Sequence, residues 1–331
     1  MIEVKALKKY FPLGNRSILG RNRVIHAVDG IDLDVQEGET LALVGESGCG
    51  KTTTGRLLLR LIEPTGGTVR FMGQNILDLR KNEMRRLRCK MQMIFQDSLS
   101  SLNPRKTTSQ ILSRPFAIHE KLNRKEIDIK VRELLEVVGL APAELYAKRY
   151  PHEFSGGQRQ RVTIARALAL RPKFIVADEP VSSLDVSVRA TILNLMKELQ
   201  RKFDLAFLFI THDLSVVRSI SHRVAVMYLG KIVEIAQVEE LYKYPLHPYT
   251  KAILSATPIP DPKITHAKHR IVLSSDLPSA IDLPKGCRFS SRCFMGKDIG
   301  VQCSNEEPRL IEVRKNHLVA CYHCDRNSGP E

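Results

Sequence analysis

Residues 45–52 read Gly45-Glu46-Ser47-Gly48-Cys49-Gly50-Lys51-Thr52, a complete G-x-x-x-x-G-K-[ST]. The pattern constrains the fold because its chemistry requires a buried strand entering a tight glycine loop and a helix leaving it. The flanks supply both. Thr40-Leu41-Ala42-Leu43-Val44 reads as a buried strand, and Lys51 to Leu61 carries Leu57, Leu58 and Leu61 at helical spacing. Gly45, Gly48 and Gly50 let the backbone turn its N–H groups inward at a helix N-terminus, where they cradle the α- and β-phosphates of a nucleoside triphosphate. Lys51 is placed for the β- and γ-phosphates and the Thr52 hydroxyl for Mg²⁺.

The rest of the composition narrows the class. A chain of 331 residues, 43% apolar and 26% charged, can bury a large core. Its apolar runs are short, as in Leu205 to Ile210, and none is long enough to span a bilayer. Met1-Ile2-Glu3-Val4-Lys5 lacks the charged-then-apolar layout of a signal peptide, so a cytoplasmic location is expected. Net charge is +15, and Arg80 to Lys90 packs six Lys or Arg into eleven residues. Such a run suits nucleic acid or an anionic membrane surface, but a solvated helix face is its commoner origin.

Along the chain, Ile2, Val4 and Ala6 alternate with Glu3 and Lys5 as in a strand. A polar glycine-bearing stretch follows (Gly14-Asn15-Arg16-Ser17, then Gly20-Arg21-Asn22-Arg23), and Ile31 to Val35 alternates again. Gly66-Gly67 marks a turn before a short strand over Thr68 to Met72. Residues 105–172 read as mostly helical, with Val131, Leu134, Leu135 and Val138 on one face and Gly139 at a helix end. Phe174-Ile175-Val176-Ala177 and Leu205 to Ile210 are buried strands. Ile192, Met196 and Leu199 share a helix face between them. A hairpin over Val224–Met227 and Ile232–Ile235 turns at Leu229-Gly230. Pro245, Pro248, Pro258, Pro260 and Pro262 then suggest a linker.

Two further segments bear chemistry. Asp178-Glu179 ends the 174–177 strand, where a doubly wound sheet places its working carboxylates. Asp178 suits Mg²⁺, and Glu179 suits orienting or deprotonating water. Ser155-Gly156-Gly157-Gln158 opens a helix, as a second anion-binding surface or as an N-cap with a flexible entry. A dimer would use both cradles if each phosphate loop faced a partner's Ser-Gly-Gly.

In order and spacing these segments resemble the ATP-binding subunits of ABC transporters. Ser155 to Gln158 matches the signature, with Phe154 where the family more often has leucine. Phe174 to Asp178 matches the Walker B strand, Ser183-Leu184-Asp185 the D-loop, Thr211-His212-Asp213 the switch, and Ile94-Phe95-Gln96-Asp97 the Q-loop. The resemblance implies an α/β fold, a P-loop NTPase cassette. It would have a RecA-like core, an N-terminal antiparallel β subdomain and an inserted helical subdomain, over residues 1–245 with the helical part at about 97–172. It makes Glu179, His212 and Gln96 catalytic, and Thr52, Gln96 and Asp178 the Mg²⁺ set. Nucleotide contacts fall to Gly45 through Thr52, Thr53, Ser155 through Gln158 and Asp185, with Phe11 or, second, Tyr10 stacking on adenine. It implies ATP sandwiched between paired cassettes, and hydrolysis that reopens them.

His247-Pro248-Tyr249-Thr250 and the extension over 246–331 resemble the oligopeptide and dipeptide importers of this family. Ser101-Leu102-Asn103-Pro104 and Ser182-Ser183-Leu184-Asp185-Val186-Ser187 point to the same branch. The implied assembly has two permease subunits, a paralogous ATPase or a second copy, and an extracytoplasmic peptide-binding protein. It sits at the cytoplasmic face of the inner membrane and involves no nucleic acid. A nickel importer of the same branch, or a soluble ABC ATPase acting on nucleic acid or ribosomes, are the alternatives. Five of seven cysteines crowd the last 45 residues. Disulfides are not expected in a reducing compartment. Only Cys321-x-x-Cys324 has zinc-like spacing. The resemblance implies that Cys287, Cys293, Cys303 and Cys321 hold a [4Fe–4S] cluster; buried thiols and zinc stay open beside it.

Overall fold

A computed structural model describes residues 1–13, 23–257, 271–273, 278–295 and 301–326. The strands are β1 (Ile2–Pro12), β2 (Val24–Val35), β3 (Thr40–Val44), β4 (Gly66–Phe71), β5 (Gln74–Asn75), β6 (Met91–Ile94), β7 (Phe174–Asp178), β8 (Ala206–Thr211), β9 (Arg223–Tyr228), β10 (Lys231–Gln237), β11 (Ile311–Arg314) and β12 (His317–Val319). The first eight helices are α1 (Lys51–Leu58), α2 (Lys81–Leu87), α3 (Ser98–Ser101), α4 (Thr108–His119), α5 (Arg124–Val137), α6 (Ala143–Ala147), α7 (Gly156–Leu168) and α8 (Val186–Phe203). α9 (Leu214–Ile220), α10 (Val238–Lys243), α11 (Pro248–Ser255), α12 (Val301–Asn305) and α13 (Tyr322–Arg326) follow. Two units divide the chain. One holds Met1, Val35–Thr40 and Gln74–Ile210; the other holds Ile2–Asp34, Leu41–Gly73 and the described residues from Thr211 onward.

In the first unit β6, β7 and β8 pair in parallel, with Ile94 opposite Ala177 and Asp178 opposite Ile210. Every residue of β7 and β8 is buried, as a parallel sheet covered on both faces requires. α7 lies against β6 and α8. α8 buries Ile192, Met196 and Leu199. The Gln200 amide donates to the Gly38 carbonyl at 2.9 Å and to Thr40 Oγ1 at 2.8 Å. α5 starts on a capping box between Asn123 and Glu126 and buries Val131 and Leu135. Val138 is also buried, and Gly139 ends the turn at φ +72°. The basic run from Arg80 is the outer, exposed side of α2, which buries only Met84.

In the second unit β3 pairs in parallel with β9, β9 antiparallel with β10, β10 with β12, and β12 with β11. The β9–β10 hairpin turns on Leu229 (φ +40°) and Gly230 (φ +78°), two positive φ values that match the twist of a two-residue turn. β2, β1 and β4 lie side by side, with β1 antiparallel to β4.

Four local expectations are corrected. The alternation of β1 slips at Ala6, which takes φ +48° and is exposed while Leu7 is buried; the register shifts between Lys5 and Lys8. Gly66 and Gly67 lie inside β4, not in a turn before it. A Cβ on Gly67 would stand 2.4 Å from the Ala6 carbonyl oxygen, so glycine is needed where the bulged strand approaches. α1 ends at Leu58. Arg60 takes φ +48°, and Leu61 lies past the helix at 45% exposure instead of on its buried face. The proline cluster does not make Pro248 part of a linker. Pro248 opens α11 at a first-turn position that its missing N–H suits, after His247 as N-cap. Pro258, Pro260 and Pro262 lie outside the described residues, as does the polar stretch over 14–22. Among the described residues no helix is long and apolar enough to cross a membrane.

Candidate functional site

The glycine loop is built by sterics. Gly45 has φ +154°, and a Cβ there would lie 2.1 Å from the Met227 carbonyl oxygen. Gly50, at φ +110°, would meet the Ala27 carbonyl oxygen at 2.1 Å. Side chains are thus excluded at both ends of the loop. Lys51, 6% exposed, donates from Nζ to the carbonyls of Gly45 at 2.7 Å and Glu46 at 2.8 Å. Its ammonium therefore gathers the loop around itself. α1 starts at Lys51 with no acidic residue in its first turn, so no carboxylate of its own neutralises the helix N-terminus. Glycine backbone, lysine and an uncompensated helix start fit a triphosphate. Thr52 and Thr53 are half-buried, Ser47 is exposed, and Cys49 is buried with its thiol pKa raised by burial.

In the same unit His212 follows β8 and is exposed. Asp213 caps α9 by accepting from Ser215 N–H at 2.9 Å. Tyr10 is committed elsewhere. Its hydroxyl donates to the Asp29 carboxylate and its ring tilts against His26 at 4.4 Å. Burial, and then that carboxylate, push its pKa up to about 12. Phe11 is 36% exposed, with the Lys9 ammonium 4.9 Å from its ring centre.

The other unit carries the carboxylates. Asp178 ends β7 at 2% exposure. Glu179 follows at φ +45°, a left-handed conformation that costs a non-glycine residue about 1 kcal/mol or more and marks a position held by its surroundings. Its N–H donates to the Ile210 carbonyl at 2.9 Å. Because β6 and β7 are parallel neighbours, Gln96 and Glu179 leave their carboxyl ends together, and Gln96 Nε2 donates to Glu179 Oε2 at 3.0 Å.

Ser155 is an N-cap in a capping box. Gln158 N–H donates to Ser155 Oγ at 3.3 Å, and Ser155 N–H to Gln158 Oε1 at 3.1 Å. α7 has no acidic residue in its first turn either, so capping and an anion-accepting helix start coexist. A Cβ on Gly157 would come 2.5 Å from Val188 Cγ1 on α8, and one on Gly156 3.3 Å from Leu184 Cδ2. Those glycines therefore also let the segment Leu184–Val188 pack closely, a role that pattern reading missed. Asp185 precedes α8, exposed and without a side-chain cap bond.

Residues 28–182 match the ABC transporter family model, and 233–299 match the oligopeptide/dipeptide transporter C-terminal region. The oligopeptide transport ATP-binding protein AppF of Bacillus subtilis is 51% identical over 325 residues, covering 97% of each chain. The oligopeptide transport ATP-binding protein OppF of Salmonella typhimurium is 46% identical, covering 98% of this chain and 96% of its own. This chain belongs to the ATP-binding subunits of the oligopeptide/dipeptide ABC transporters. The subunit also resembles the ATP-binding cassette MJ0796, solved as a dimer in a post-hydrolysis state with ADP and phosphate. That match has TM-score 0.64 and 29% identity over 72% of this chain and 99% of that one. The cassette cbiO1 of Clostridium perfringens matches at TM-score 0.65 and 27% identity, over 80% and 97%. The subunit is an ATP hydrolase of the ABC class, and its family works with membrane permeases.

The subunit's C-terminal region brings Cys287, Cys293, Cys303 and Cys321 to the lining of one cavity of about 20 Å³. The Cys287 N–H donates to the Cys303 carbonyl at 2.8 Å. Burial, with the other three thiols adding to it, pushes Cys287 up to about 12. A hydrogen bond from Cys324 pulls Cys321 down to about 7. No disulfide joins the described cysteines, and among the described residues no group of three or more His, Cys, Asp or Glu is arranged to hold a single metal ion.

Pattern reading also missed what this region does to the glycine loop. Arg292 Nη1 donates to both carboxylate oxygens of Glu46, at 2.9 and 3.1 Å, and Glu46 N–H donates to Tyr249 Oη at 2.9 Å. Arg288 bridges Asp29, Glu307 and the Leu229 carbonyl. The signal available in the sequence was two arginines inside one cysteine-bounded run, Cys287-Arg288-Phe289-Ser290-Ser291-Arg292-Cys293.

Proposed function

We propose that the subunit hydrolyses ATP to power import of di- and oligopeptides through a membrane permease. The observation that carries the peptide reading is the match of residues 233–299 to the oligopeptide/dipeptide transporter C-terminal region, beside near-full-length likeness to proteins named for oligopeptide transport. Lys51 and the loop amides of residues 45–53 take the phosphates. Thr52, Asp178 and Gln96 serve Mg²⁺. Glu179 orients and deprotonates the attacking water, and His212 touches the γ-phosphate. Ser155, Gly156, Gly157, Gln158 and Asp185 face the nucleotide of a partner cassette, and Phe11 takes the adenine. The Gln96–Glu179 hydrogen bond supports a coupled Mg²⁺ and water site. The engagement of Tyr10 with Asp29 supports Phe11 over Tyr10. Closing on ATP and opening after hydrolysis is a population shift driven by the nucleotide's preference for the closed pair.

The partners in this reading are two permease subunits, a paralogous ATPase or a second copy, and an extracytoplasmic peptide-binding protein. The chain sits peripherally on the cytoplasmic face of the inner membrane. Cys287, Cys293, Cys303 and Cys321 would hold a [4Fe–4S] cluster, a reading supported by four thiols lining one cavity with no carboxylate among its lining residues. When bound, that group would supply a covalent clasp across the tail.

Glu179→Gln tests the hydrolytic assignment. Turnover should fall by roughly a hundredfold or more while ATP binding persists and a dimer accumulates on sizing chromatography. Ordinary turnover in that variant would refute the role. Peptide-stimulated ATPase in proteoliposomes with the permeases of neighbouring genes tests the substrate; stimulation by nickel alone would make the subunit a nickel importer of the same branch.

A further inference from the structure

The entry arm of the phosphate loop is held from the C-terminal region, and every polar group of one loop residue is taken. Glu46 gives its N–H to Tyr249 Oη at 2.9 Å. Its carbonyl accepts from Lys51 Nζ at 2.8 Å and from Cys49 N–H at 3.3 Å. Its carboxylate is gripped by Arg292. Arg292 is only 7% exposed in its side chain and Glu46 is 28% exposed, so the pair is largely removed from water. Among the described residues, the guanidinium also reaches Tyr228, through its hydroxyl at 3.4 Å and over its ring at 5.9 Å, while its Nε is buried without a hydrogen-bond partner. The guanidinium is thus placed by Glu46 and Tyr228.

Beneath the loop the support is rigid. Tyr249, Tyr228, Phe289 and His247 form an aromatic cluster, with ring centres 4.7 to 5.7 Å apart in the contacting pairs. Phe289 lies three residues before Arg292, in the turn leading to Ser290–Arg292. Arg288 ties the same run to Asp29 and to the β9–β10 turn. Gly230 N–H in that turn donates to the Cys49 carbonyl at 2.9 Å, so the loop is met again from below.

Resting on the reading of residues 45–52 as the nucleotide site, we propose that Arg292, with Tyr249, is a positioning residue for nucleotide binding. By fixing Gly45-Glu46 it holds the carbonyls that orient Lys51, and docking of the C-terminal region and affinity for ATP are coupled. A loop whose amides must converge on phosphate loses affinity when it must first be ordered, and an arm fixed in advance removes that cost. The coupling is reciprocal: bound nucleotide must tighten the 287–293 run by as much as that run tightens nucleotide.

The test uses the full-length chain and mant-ATP with Mg²⁺. Arg292→Gln and Glu46→Gln should each weaken mant-ATP binding about tenfold, within the usual range of coupled sites. In Arg292→Gln, which lies outside the phosphate loop, KM for ATP should rise by the same factor while kcat at saturating ATP stays within about twofold. The double variant should be no weaker than either single, because both remove one interaction. The swapped pair Glu46→Arg with Arg292→Glu should recover part of the loss. Tyr249→Phe keeps the ring packing and removes only the acceptor, so it should weaken binding without a large drop in the melting temperature of the nucleotide-free chain. Hydrogen exchange over 287–293 should slow when ATP is added. Wild-type affinity in Arg292→Gln and Tyr249→Phe overturns the proposal, as does an additive double variant, or exchange over 287–293 indifferent to ATP. Lys51→Ala separates the two readings: if it binds mant-ATP normally, the nucleotide site itself is misassigned, whatever Arg292 does.

Discussion

His247 is buried at 2% exposure, and its Nδ1 accepts the Tyr249 N–H at 3.0 Å, so the neutral ring with its proton on Nε2 is the form that caps α11. Burial lowers its pKa from 6.5 to about 4, against the pull of Glu234 and with a small push from Lys251. The unfolded chain takes up a proton near pH 6.5 that the folded chain refuses until about 4. Stability from this group is therefore complete above about pH 6.5 and falls by roughly 3 kcal/mol as pH drops towards 4. His247→Asn keeps a cap acceptor without a titrating group. Urea titrations of the two proteins should diverge in slope across that window, and parallel curves would contradict the assignment. At this scale, residue type in a fixed spacing singled out Gly45, Gly50, Lys51 and Asp178 as candidates. The left-handed φ of Glu179 and the two jobs of Gly157 were not legible there. Both depend on what stands opposite, Ile210 in one case and Val188 in the other.

At the scale of elements, the run 287–293 is a turn between two cysteines with an arginine beside each. If the four thiols around the 20 Å³ cavity hold a cluster, anaerobically purified chain should be brown, with about four irons per chain. Cys287→Ser should lose most of that iron and Cys324→Ser should keep it. Colourless, iron-free protein prepared without oxygen would exclude the cluster. Element positions were mostly readable. The short apolar runs within β3, β7 and β8 read as buried strands, and the stripe of α8 fits a helix packed on one side. What failed were the places where the backbone turns against its pattern: the Ala6 bulge, which moves burial from position 6 to 7, and the early end of α1 at Leu58. Pro248 misled because proline breaks a helix anywhere but in its first turn, and sequence alone does not say which side of the break it occupies.

For the molecule as a whole, the C-terminal region shares a unit with the glycine loop. Tyr249, Leu254 and Phe289 belong to the same buried cluster as Val44, Val226 and Tyr228. Removing a buried aromatic or leucine costs about 2–5 kcal/mol each, so losing all three reaches the whole stability of a typical domain at about 5–15 kcal/mol. A chain ending at residue 245 should therefore be insoluble or molten; a soluble, cooperative 1–245 would show that the cassette stands without its tail. The sequence by itself determined the nucleotide chemistry, the fold and the family, because each rests on residue types at short, fixed separations along the chain. Only the tertiary structure decided that Tyr249 and Arg292 reach Glu46 across 203 and 246 residues. A hydrogen bond between distant residues leaves no local spacing to read; it exists only once the packed core has carried both ends to the same point.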